Sequence, residues 1–401
     1  MLKNYIKIAW RNLWKNKMTT SLSLFGLILG VACFMLLSTY ILNELRYDRF
    51  HEKADRIAYV NLNYKSPSDA EAVHTPRTPT AVVPVAKREF AEVEDAARIY
   101  RYNSREIKVD NKNFIEKNMV LADGSLFNIF SFHFIAGNPA SALQRPNTMV
   151  VTQATAQKYF GKEPALGKSI LVNDNAWQIT GVIEDIPSYS TLQFDIAGSY
   201  NSSERSKTEA WGSANDISVL LLKSSDQIIS VQQKFNTYIK DLFKADFEAG
   251  YTMWLDLEPL AQVHLSSTAS GNLLTYLYIL GAIALLLLVI ACINFTNLMT
   301  AKSSERLREI GVRKVLGASI PQLTALLSID FLKLVLIAIL IAAPLAWYAT
   351  SEWLQDFAYK INMPYGLYAL AGIAAAIALI TVSFQAIKAA IANPVKSLRT
   401  E

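Results

Sequence analysis

Four stretches of the chain are strongly apolar, and they are unevenly spaced. The first lies near the N-terminus and the other three crowd into the last third: 22–42, 273–299, 323–348 and 367–387. Each is about 20 residues or longer, enough for a helix to cross a hydrocarbon core of about 30 Å. The pattern predicts an α-helical membrane protein with four transmembrane helices, one before and three after a large polar domain.

The basic residues indicate which side of the membrane each loop occupies. Residues 1–20 carry five basic side chains and no acidic one, and the loop after the second apolar stretch is also basic. Short basic loops stay in the cytoplasm, so both termini are predicted to be cytoplasmic. The predicted segments are a cytoplasmic amphipathic helix (1–20), four spans (21–43, 272–300, 321–350 and 367–391), an extracytoplasmic domain (44–271), a cytoplasmic loop (301–320), an outer loop (351–366) and a cytoplasmic tail (392–401).

The formal net charge of +5 comes largely from the clusters that flank the spans. These charges fit membrane topology and contact with lipid, so we expect no nucleic-acid partner. The helix over 1–20 has an apolar face beside a basic stripe, which predicts that it lies on the inner leaflet. Cys33 and Cys292 both fall inside spans, so the extracytoplasmic domain is predicted to fold without a disulfide.

The domain over 44–271 is predicted to be mixed α+β. Strand-like runs rich in Val, Ile and Tyr occur at 56–64, 98–102, 105–109, 149–152, 169–172, 177–183, 217–222 and 251–257. Asn173-Asp174-Asn175 predicts a hairpin turn, and Thr152 is a candidate N-cap for a helix over 152–160. A second helix is predicted over 225–247, and the polar segment 199–215 is predicted to be a mobile loop.

The cytoplasmic loop after the second span has the pattern of a short charged helix. Glu305 with Arg308 and Glu309 with Arg313 are spaced for helical ion pairs, and Gly317 can end the helix. A stiff helix between two spans could transmit a push from a cytosolic partner. An ordinary basic loop explains the same residues, and the pattern favours neither interpretation.

Residues typical of catalysis are mostly missing from the sequence. Gly161 and Gly167 are spaced wrongly for a phosphate-binding loop, and the segment leads into a predicted strand. The four histidines lack partners at the spacing of zinc sites, and no Gly-x-Ser-x-Gly nucleophile elbow occurs. We therefore expect a non-catalytic chain that binds no cofactor or metal itself.

Four polar residues inside predicted spans are candidates for a functional role. Asp330 and Lys333 can form a local ion pair near the inner face, which is a structural alternative to a transport role. Asn294 and Asn297 can hydrogen-bond between helices, which serves packing as readily as transport.

Several motifs together resemble the MacB/FtsX family of ABC transporter permeases. The loop signature Glu305-Arg306-x-Arg308-Glu309-Ile310-Gly311-x-Arg313-Lys314-x-x-Gly317-Ala318 is similar to that of the family, as are Ile8-Ala9-Trp10-Arg11-Asn12-Leu13 and Asn393-Pro394-Val395. Val150-Val151-Thr152, Phe160-Gly161, Leu166-Gly167-Lys168 and Gly181-Val182-Ile183 resemble the MacB-type periplasmic core domain. The resemblance covers essentially the whole chain, in order.

The resemblance implies a role for the cytoplasmic loop. It implies a coupling helix that docks on a separate cytosolic ABC ATPase, which binds ATP and Mg²⁺ and drives motion of the spans and the outer domain. The residues carried over to this role are Glu305, Arg306, Arg308, Glu309, Ile310, Gly311, Arg313, Lys314 and Gly317. It further implies a bacterial inner-membrane location and export, lipoprotein or cell-wall work with a periplasmic or outer-membrane partner.

Two questions stay open at the level of sequence. A single four-span module suggests a homodimer, and a heterodimer with a sister permease is the alternative. A membrane-anchored sensor or scaffold, for example one that regulates a cell-wall hydrolase, is the alternative function. An enzyme on the outer face is disfavoured because its catalytic residues are missing.

Overall fold

The computed structural model describes residues 17–102, 105–110, 112–266, 272–304, 319, 335–349, 352, 369–370, 372–374 and 376–377. The chain divides into two compact units. We call Met1–Asn43 with Thr275–Glu401 the helical unit, and Glu44–Leu274 the sheet unit.

The described helices and strands follow in chain order. The helices are α1 (Lys17–Leu45), α2 (Val82–Glu89), α3 (Leu126–Ile129), α4 (Gln153–Phe160), α5 (Ile228–Leu242), α6 (Lys244–Glu248), α7 (Leu260–Val263), α8 (Leu273–Ser304) and α9 (Val335–Ala349). The strands are β1 (Ile57–Lys65), β2 (Val73–Thr75), β3 (Thr78–Pro79), β4 (Val93–Arg101), β5 (Arg105–Val109), β6 (Lys112–Glu116), β7 (Met119–Ala122), β8 (Phe134–Gly137), β9 (Thr148–Thr152), β10 (Ser169–Val172), β11 (Asn175–Ile183), β12 (Ile196–Ser199), β13 (Ala214–Leu222) and β14 (Thr252–Pro259).

Among the described residues of the helical unit, two helices are long and apolar enough to cross a membrane. Their apolar parts are Leu24–Leu45 in α1 and Leu273–Phe295 in α8, while α9 is shorter. A Cβ built at Gly30 would overlap the Cβ of Ala291, so the small residues let α1 and α8 approach closely. The first two predicted spans are thus matched by helices, and the four-span count stays a prediction.

The predicted amphipathic helix over 1–20 lies mostly outside the described residues. Residues 17–20 belong to α1, which continues into the first apolar stretch.

The sheet unit is built on one continuous path of hydrogen-bonded strands. In the described part of the chain the order is β14-β1-β13-β4-β7-β12-β9-β11-β10-β5-β6, with β2, β3 and β8 paired at its sides. Most neighbours are antiparallel, and β7 with β12 and β9 with β11 are parallel. The interior strand β13 ends in an apolar run that is buried throughout, as expected of a strand covered on both faces.

The strand predictions are confirmed, with shifts of a few residues at the ends. Residues 105–109 and 169–172 match β5 and β10, and the turn between β10 and β11 consists of Asn173 and Asp174, both with positive φ. Asn175 belongs to β11 and not to the turn. The N-cap is also confirmed, because the Oγ1 of Thr152 accepts a hydrogen bond from the N–H of Thr155 at 3.3 Å.

Two predictions are wrong in detail. The helix predicted over 225–247 is divided into a 3-10 turn, α5 and α6, because the chain leaves helical geometry at Phe243 and packs that ring on Trp211. The segment 199–215 is not a featureless loop. It holds two 3-10 turns, Tyr200–Ser202 and Glu204–Lys207, and the Tyr200 side chain is fully buried.

Candidate functional site

The residues predicted to couple to an ATPase all lie outside the described residues. This applies to Glu305, Arg306, Arg308, Glu309, Ile310, Gly311, Arg313, Lys314 and Gly317, and also to Asp330 and Lys333. Asn294 and Asn297 lie on α8 and are exposed in the single chain. The described residues do not bring the predicted candidates together, so the best-defined site lies in the sheet unit.

The start and end of the sheet unit are joined by a direct contact. Glu44 lies on the last turn of α1, and His264 follows α7, shortly before α8 begins. The Nε2 of His264 donates a hydrogen bond to Oε2 of Glu44 at 2.5 Å, and the two side chains are only 20% and 12% exposed. Low exposure strengthens such a bond to a carboxylate.

An aromatic stack reinforces the same contact. The rings of Tyr47 and His264 are parallel within 2°, with their centroids 3.4 Å apart. Glu44 and Tyr47 are spaced by three residues, which places both near one face of the chain as it leaves α1. His264 is therefore held by a hydrogen bond at its edge and by a stacked ring on its face.

Asp48 joins the chain that follows α1 to the segment around Thr191 in the sheet unit through hydrogen bonds. Its carboxylate accepts hydrogen bonds from the backbone N–H of Thr191 at 2.8 Å and from the Thr191 hydroxyl at 2.5 Å. Its own N–H donates to the carbonyl of Tyr189, and its φ of 58° turns the chain sharply. Burial raises the pKa of Asp48, although the hydrogen bonds from Thr191 act to lower it.

His51 anchors the chain to the apolar core beneath this site. Its Nδ1 accepts a hydrogen bond from the N–H of Ser131 at 3.1 Å, and its ring lies among Phe50, Phe130 and Phe132. Burial lowers the pKa of His51 to about 4, so the imidazole is neutral at physiological pH. We call the residues of these contacts the junction: Glu44, Tyr47, Asp48, His51, Thr191 and His264.

The chemistry of the junction is structural. In the part of the chain that the structure describes, no group of three His, Cys, Asp or Glu side chains is placed to hold a metal ion. The side chains of Glu44, Asp48 and His264 are hydrogen-bonded to neighbouring groups, and the Nδ1 of His51 accepts from Ser131. Such an arrangement holds chain segments in a fixed relation.

A second polar cluster lies deeper in the sheet unit. The guanidinium of Arg98 on β4 makes two hydrogen bonds to the carboxylate of Asp123, at 2.9 and 3.0 Å, and covers the ring of Tyr200. Burial acts to lower the pKa of Arg98, but the hydrogen bonds to Asp123 raise it above its usual value. The Tyr200 hydroxyl donates to Asp216, which is fully buried and also pairs with Arg205.

This cluster borders a shallow cavity of about 230 Å³, lined by Val83, Pro84, Lys87, Arg98, Asp123, Gly124, Ser125, Gln144 and Asn201. The cations that line it are already neutralised, Arg98 by Asp123 and Lys87 by Asp95. The cluster therefore holds β4, β13 and the 3-10 turns together and offers no unpaired charge to a ligand.

Sequence reasoning missed both the junction and this cluster. Glu44 and His264 are 220 residues apart, and Asp48 and Thr191 are 143 apart, so no local spacing links them. The sequence contained one signal for the junction. Charged residues next to the end of a span are candidates for contacts that fix the position of that end.

Comparison with known families agrees with this architecture. The MacB-like periplasmic core domain matches residues 20–238, and the FtsX-like permease C-terminal domain matches residues 281–394. The chain belongs to the MacB/FtsX family of ABC transporter permeases. Members of this family are inner-membrane proteins with a periplasmic domain, and the two long apolar helices fit that location.

Individual relatives are distant. The pyoverdine export ATP-binding/permease protein PvdT of Pseudomonas syringae pv. syringae is 26% identical over 78% of this chain and 46% of its own length. The macrolide export ATP-binding/permease protein MacB of Salmonella paratyphi A is 26% identical over 78% of this chain and 47% of its own. The chain thus spans about half the length of these curated relatives.

A solved permease-protein domain from Porphyromonas gingivalis is similar to 52% of this chain and 91% of its own, with 24% identity and a TM-score of 0.47.

Proposed function

We propose that this chain is the membrane subunit of an ABC complex and transmits ATP-driven motion from a cytosolic ATPase to the sheet unit. The observation that carries the proposal is the contact between Glu44 and His264. It ties the chain that leaves the first long apolar helix to the chain that enters the second. A displacement of either helix is then passed to the folded sheet unit.

The junction suits this role because its contacts are short, shielded and mutually supporting. A side chain held from two directions has few alternative rotamers, so little of an applied displacement is lost in side-chain rearrangement. His264 is held by Glu44 and Tyr47, and Asp48 is held by Thr191. The tightly packed core below moves as a body when its edge is displaced.

The motion would enter at the cytoplasmic loop. We propose that the loop helix that contains Arg308 and Arg313 docks on the ATPase, which binds ATP and Mg²⁺. The partners are that ATPase, a second copy of this chain, membrane lipid and an envelope protein that meets the sheet unit. The chain itself performs no chemistry and lies in a bacterial inner membrane with both termini in the cytoplasm.

The proposed work is export from, or within, the cell envelope. Two of the relatives carry the names of pyoverdine and macrolide exporters, which makes export the favoured class of work for this chain. Lipoprotein handling and control of a cell-wall hydrolase are the alternatives within the same mechanism.

The test is affinity purification of the detergent-solubilised chain, followed by mass spectrometry and an ATPase assay of the eluate. The wild type is compared with Arg308→Glu/Arg313→Glu, and with Lys396→Glu/Arg399→Glu as a control that changes the charge by the same amount. We expect an ATPase with the wild type and the control, and its loss with the loop variant. Absence of an ATPase from all three samples would refute the proposal in favour of a sensor or scaffold.

A further inference from the structure

Two arginines follow directly after the first long apolar helix. The apolar part of α1, Leu24–Leu45, has 22 residues, which is about 33 Å as a helix. This length slightly exceeds a hydrocarbon core of about 30 Å, so Arg46 and Arg49 lie at the depth of the lipid headgroups. Both belong to the part of the chain that matches the periplasmic core domain, so these headgroups are those of the periplasmic leaflet.

The charge of these residues is unusual for their position. Lys and Arg collect in cytoplasmic loops, whereas tyrosine is common at both surfaces of a membrane. The second long helix, α8, follows this rule, because Tyr276 and Tyr278 near its start are exposed. Membrane topology therefore explains the tyrosines of α8 but not Arg46 and Arg49.

A tight turn brings the two arginines together. The N–H of Arg49 donates a hydrogen bond to the carbonyl of Arg46 at 3.2 Å, and Asp48 between them has a φ of 58°. The first and last Cα atoms of such a turn are less than about 7 Å apart, so two long side chains can reach one ligand.

An aromatic ring holds the guanidinium of Arg46 in place. Its Cζ lies 3.8 Å from the centroid of the Tyr189 ring. That ring in turn packs edge to face with Phe50, and the Tyr189 carbonyl accepts a hydrogen bond from the Asp48 N–H at 2.9 Å. The cation is thus positioned before a ligand arrives, which lowers the entropy cost of binding.

The protein supplies no counter-ion for either arginine. The nearby carboxylates of Glu44 and Asp48 are hydrogen-bonded within the junction. Among the described residues no carboxylate, Glu52 included, forms an ion pair with Arg46 or Arg49. The Nε of Arg46 is also buried without a hydrogen-bond acceptor. A half-buried cation that lacks an acceptor is unfavourable, which indicates that its counter-ion comes from outside the chain.

We propose that Arg46 and Arg49 bind the phosphate of an anionic phospholipid in the periplasmic leaflet. The planar N–H groups of a guanidinium match phosphate oxygens, and the terminal nitrogens of Arg46 make the contact because its Nε is enclosed. Two cations select a headgroup with a net negative charge over a zwitterionic one. The inference goes beyond the proposed function, since it needs the membrane location and no ATPase.

The lipid site is continuous with the junction. Asp48 bonds through its N–H to Tyr189 and through its carboxylate to Thr191. A headgroup that fixes Arg46 therefore also restrains Tyr189 and the segment around it. The lipid composition of the membrane then sets how firmly this part of the junction is held.

The test is native mass spectrometry of the delipidated full chain in detergent, titrated with phosphatidylglycerol or with phosphatidylcholine of the same acyl chains. The variant Arg46→Gln/Arg49→Gln removes both charges and keeps polar side chains. The matched control Lys112→Gln/Lys117→Gln removes the same charge from exposed residues on and beside β6, the last strand of the path. Thermal unfolding shows whether both variants fold like the wild type.

We expect the wild type and the control to bind one phosphatidylglycerol per chain saturably, and phosphatidylcholine more weakly. The arginine variant should bind phosphatidylglycerol weaker by roughly tenfold or more, because charge-assisted hydrogen bonds to the phosphate are lost. A folded arginine variant that binds phosphatidylglycerol as tightly as the wild type would overturn the inference. Equal affinity of the wild type for the two lipids would overturn it as well.

Tyr189 gives a second test, which applies even where the arginine variant does not fold. Tyr189→Phe keeps the ring against Arg46 and should bind phosphatidylglycerol like the wild type. Tyr189→Leu removes the ring and should bind it more weakly. Equal binding by these two folded variants would contradict a site that the ring positions.

Inorganic phosphate separates a lipid from a soluble anion. Millimolar phosphate should not displace phosphatidylglycerol, because the acyl chains add apolar burial that a free ion lacks. Displacement would assign the arginines to a soluble anion and overturn the lipid inference. None of these outcomes bears on the proposed function, which depends on recovery of an ATPase.

Discussion

The side-chain amide of Asn236 on α5 makes two hydrogen bonds to the backbone of Leu255 on β14. Its Oδ1 accepts from the Leu255 N–H at 2.8 Å, and its Nδ2 donates to the Leu255 carbonyl at 3.0 Å. Gln232, one helical turn earlier, accepts from the Leu257 N–H at 2.8 Å. A helix thus closes one edge of the sheet by imitating the backbone of a neighbouring strand.

Replacing Asn236 with Ala should weaken this edge. Two backbone groups of Leu255 lose their partners, so we expect a loss of about 1–2 kcal/mol of unfolding free energy and increased aggregation. The control Asn236→Asp keeps the acceptor and should lose less. Thermal unfolding followed by tryptophan fluorescence, with light scattering, measures both effects in the detergent-solubilised chain. Wild-type behaviour of Asn236→Ala would show that the amide is unimportant.

The contributions of Arg98 and Asp123 to the free energy of unfolding should be coupled. Arg98→Met leaves a carboxylate that is only 16% exposed without its partner, so we expect a cost of about 3–5 kcal/mol. Adding Asp123→Asn removes the unpaired charge and should recover part of that cost. Chemical unfolding of the wild type, the two single variants and the double variant gives the coupling energy. Simple additivity of the two single effects would contradict a paired, shielded bridge.

Acid should destabilise the protein through His51. Its pKa is about 4 in the folded state and about 6.5 in the unfolded state, so the unfolded chain binds more protons between these values. Stability from the neutral imidazole is complete above about pH 6.5 and is lost as the pH falls toward 4, by up to about 3 kcal/mol.

The comparison that isolates this effect is His51→Gln against the wild type. Gln can still accept from the Ser131 N–H but does not titrate. Unfolding midpoints at pH 7.5, 6 and 5 should converge as the pH falls, because only the wild type loses this contribution. Parallel curves for the two proteins would show that His51 is not the acid-sensitive group.

How far the sequence predicts the fold depends on the length and composition of each element. Strands such as β11 and β13 are long and rich in Val, Ile and Leu, so their pattern is readable. Strand β6 reads Lys-Asn-Phe-Ile-Glu and was not predicted, because its mixed polarity gives no signal until β5 lies beside it. The other missed strands, including β2 and β3, are shorter still.

The contacts of the functional site also differ in how far the sequence predicts them. The cytoplasmic loop helix was predicted from neighbours three and four residues apart, which is information that a sequence contains locally. The contact of Glu44 with His264 depends on the path of the chain between them. Likewise, Tyr200 and Arg205 lie in a segment of polar composition, and their contacts with the distant, buried Asp216 help to fix it.

The most direct test of transmission asks whether the Glu44–His264 contact carries the effect of ATP into the sheet unit. The measurement is hydrogen exchange of the sheet unit in the purified complex with its ATPase, with and without a non-hydrolysable ATP analogue. His264→Ala breaks the contact, and His133→Ala is the control because it breaks a similar His–Glu contact on the exposed surface. We predict that ATP changes exchange at residues 187–193 in the wild type and in His133→Ala, and not in His264→Ala, although all three retain the ATPase. An undiminished change in His264→Ala would contradict the account.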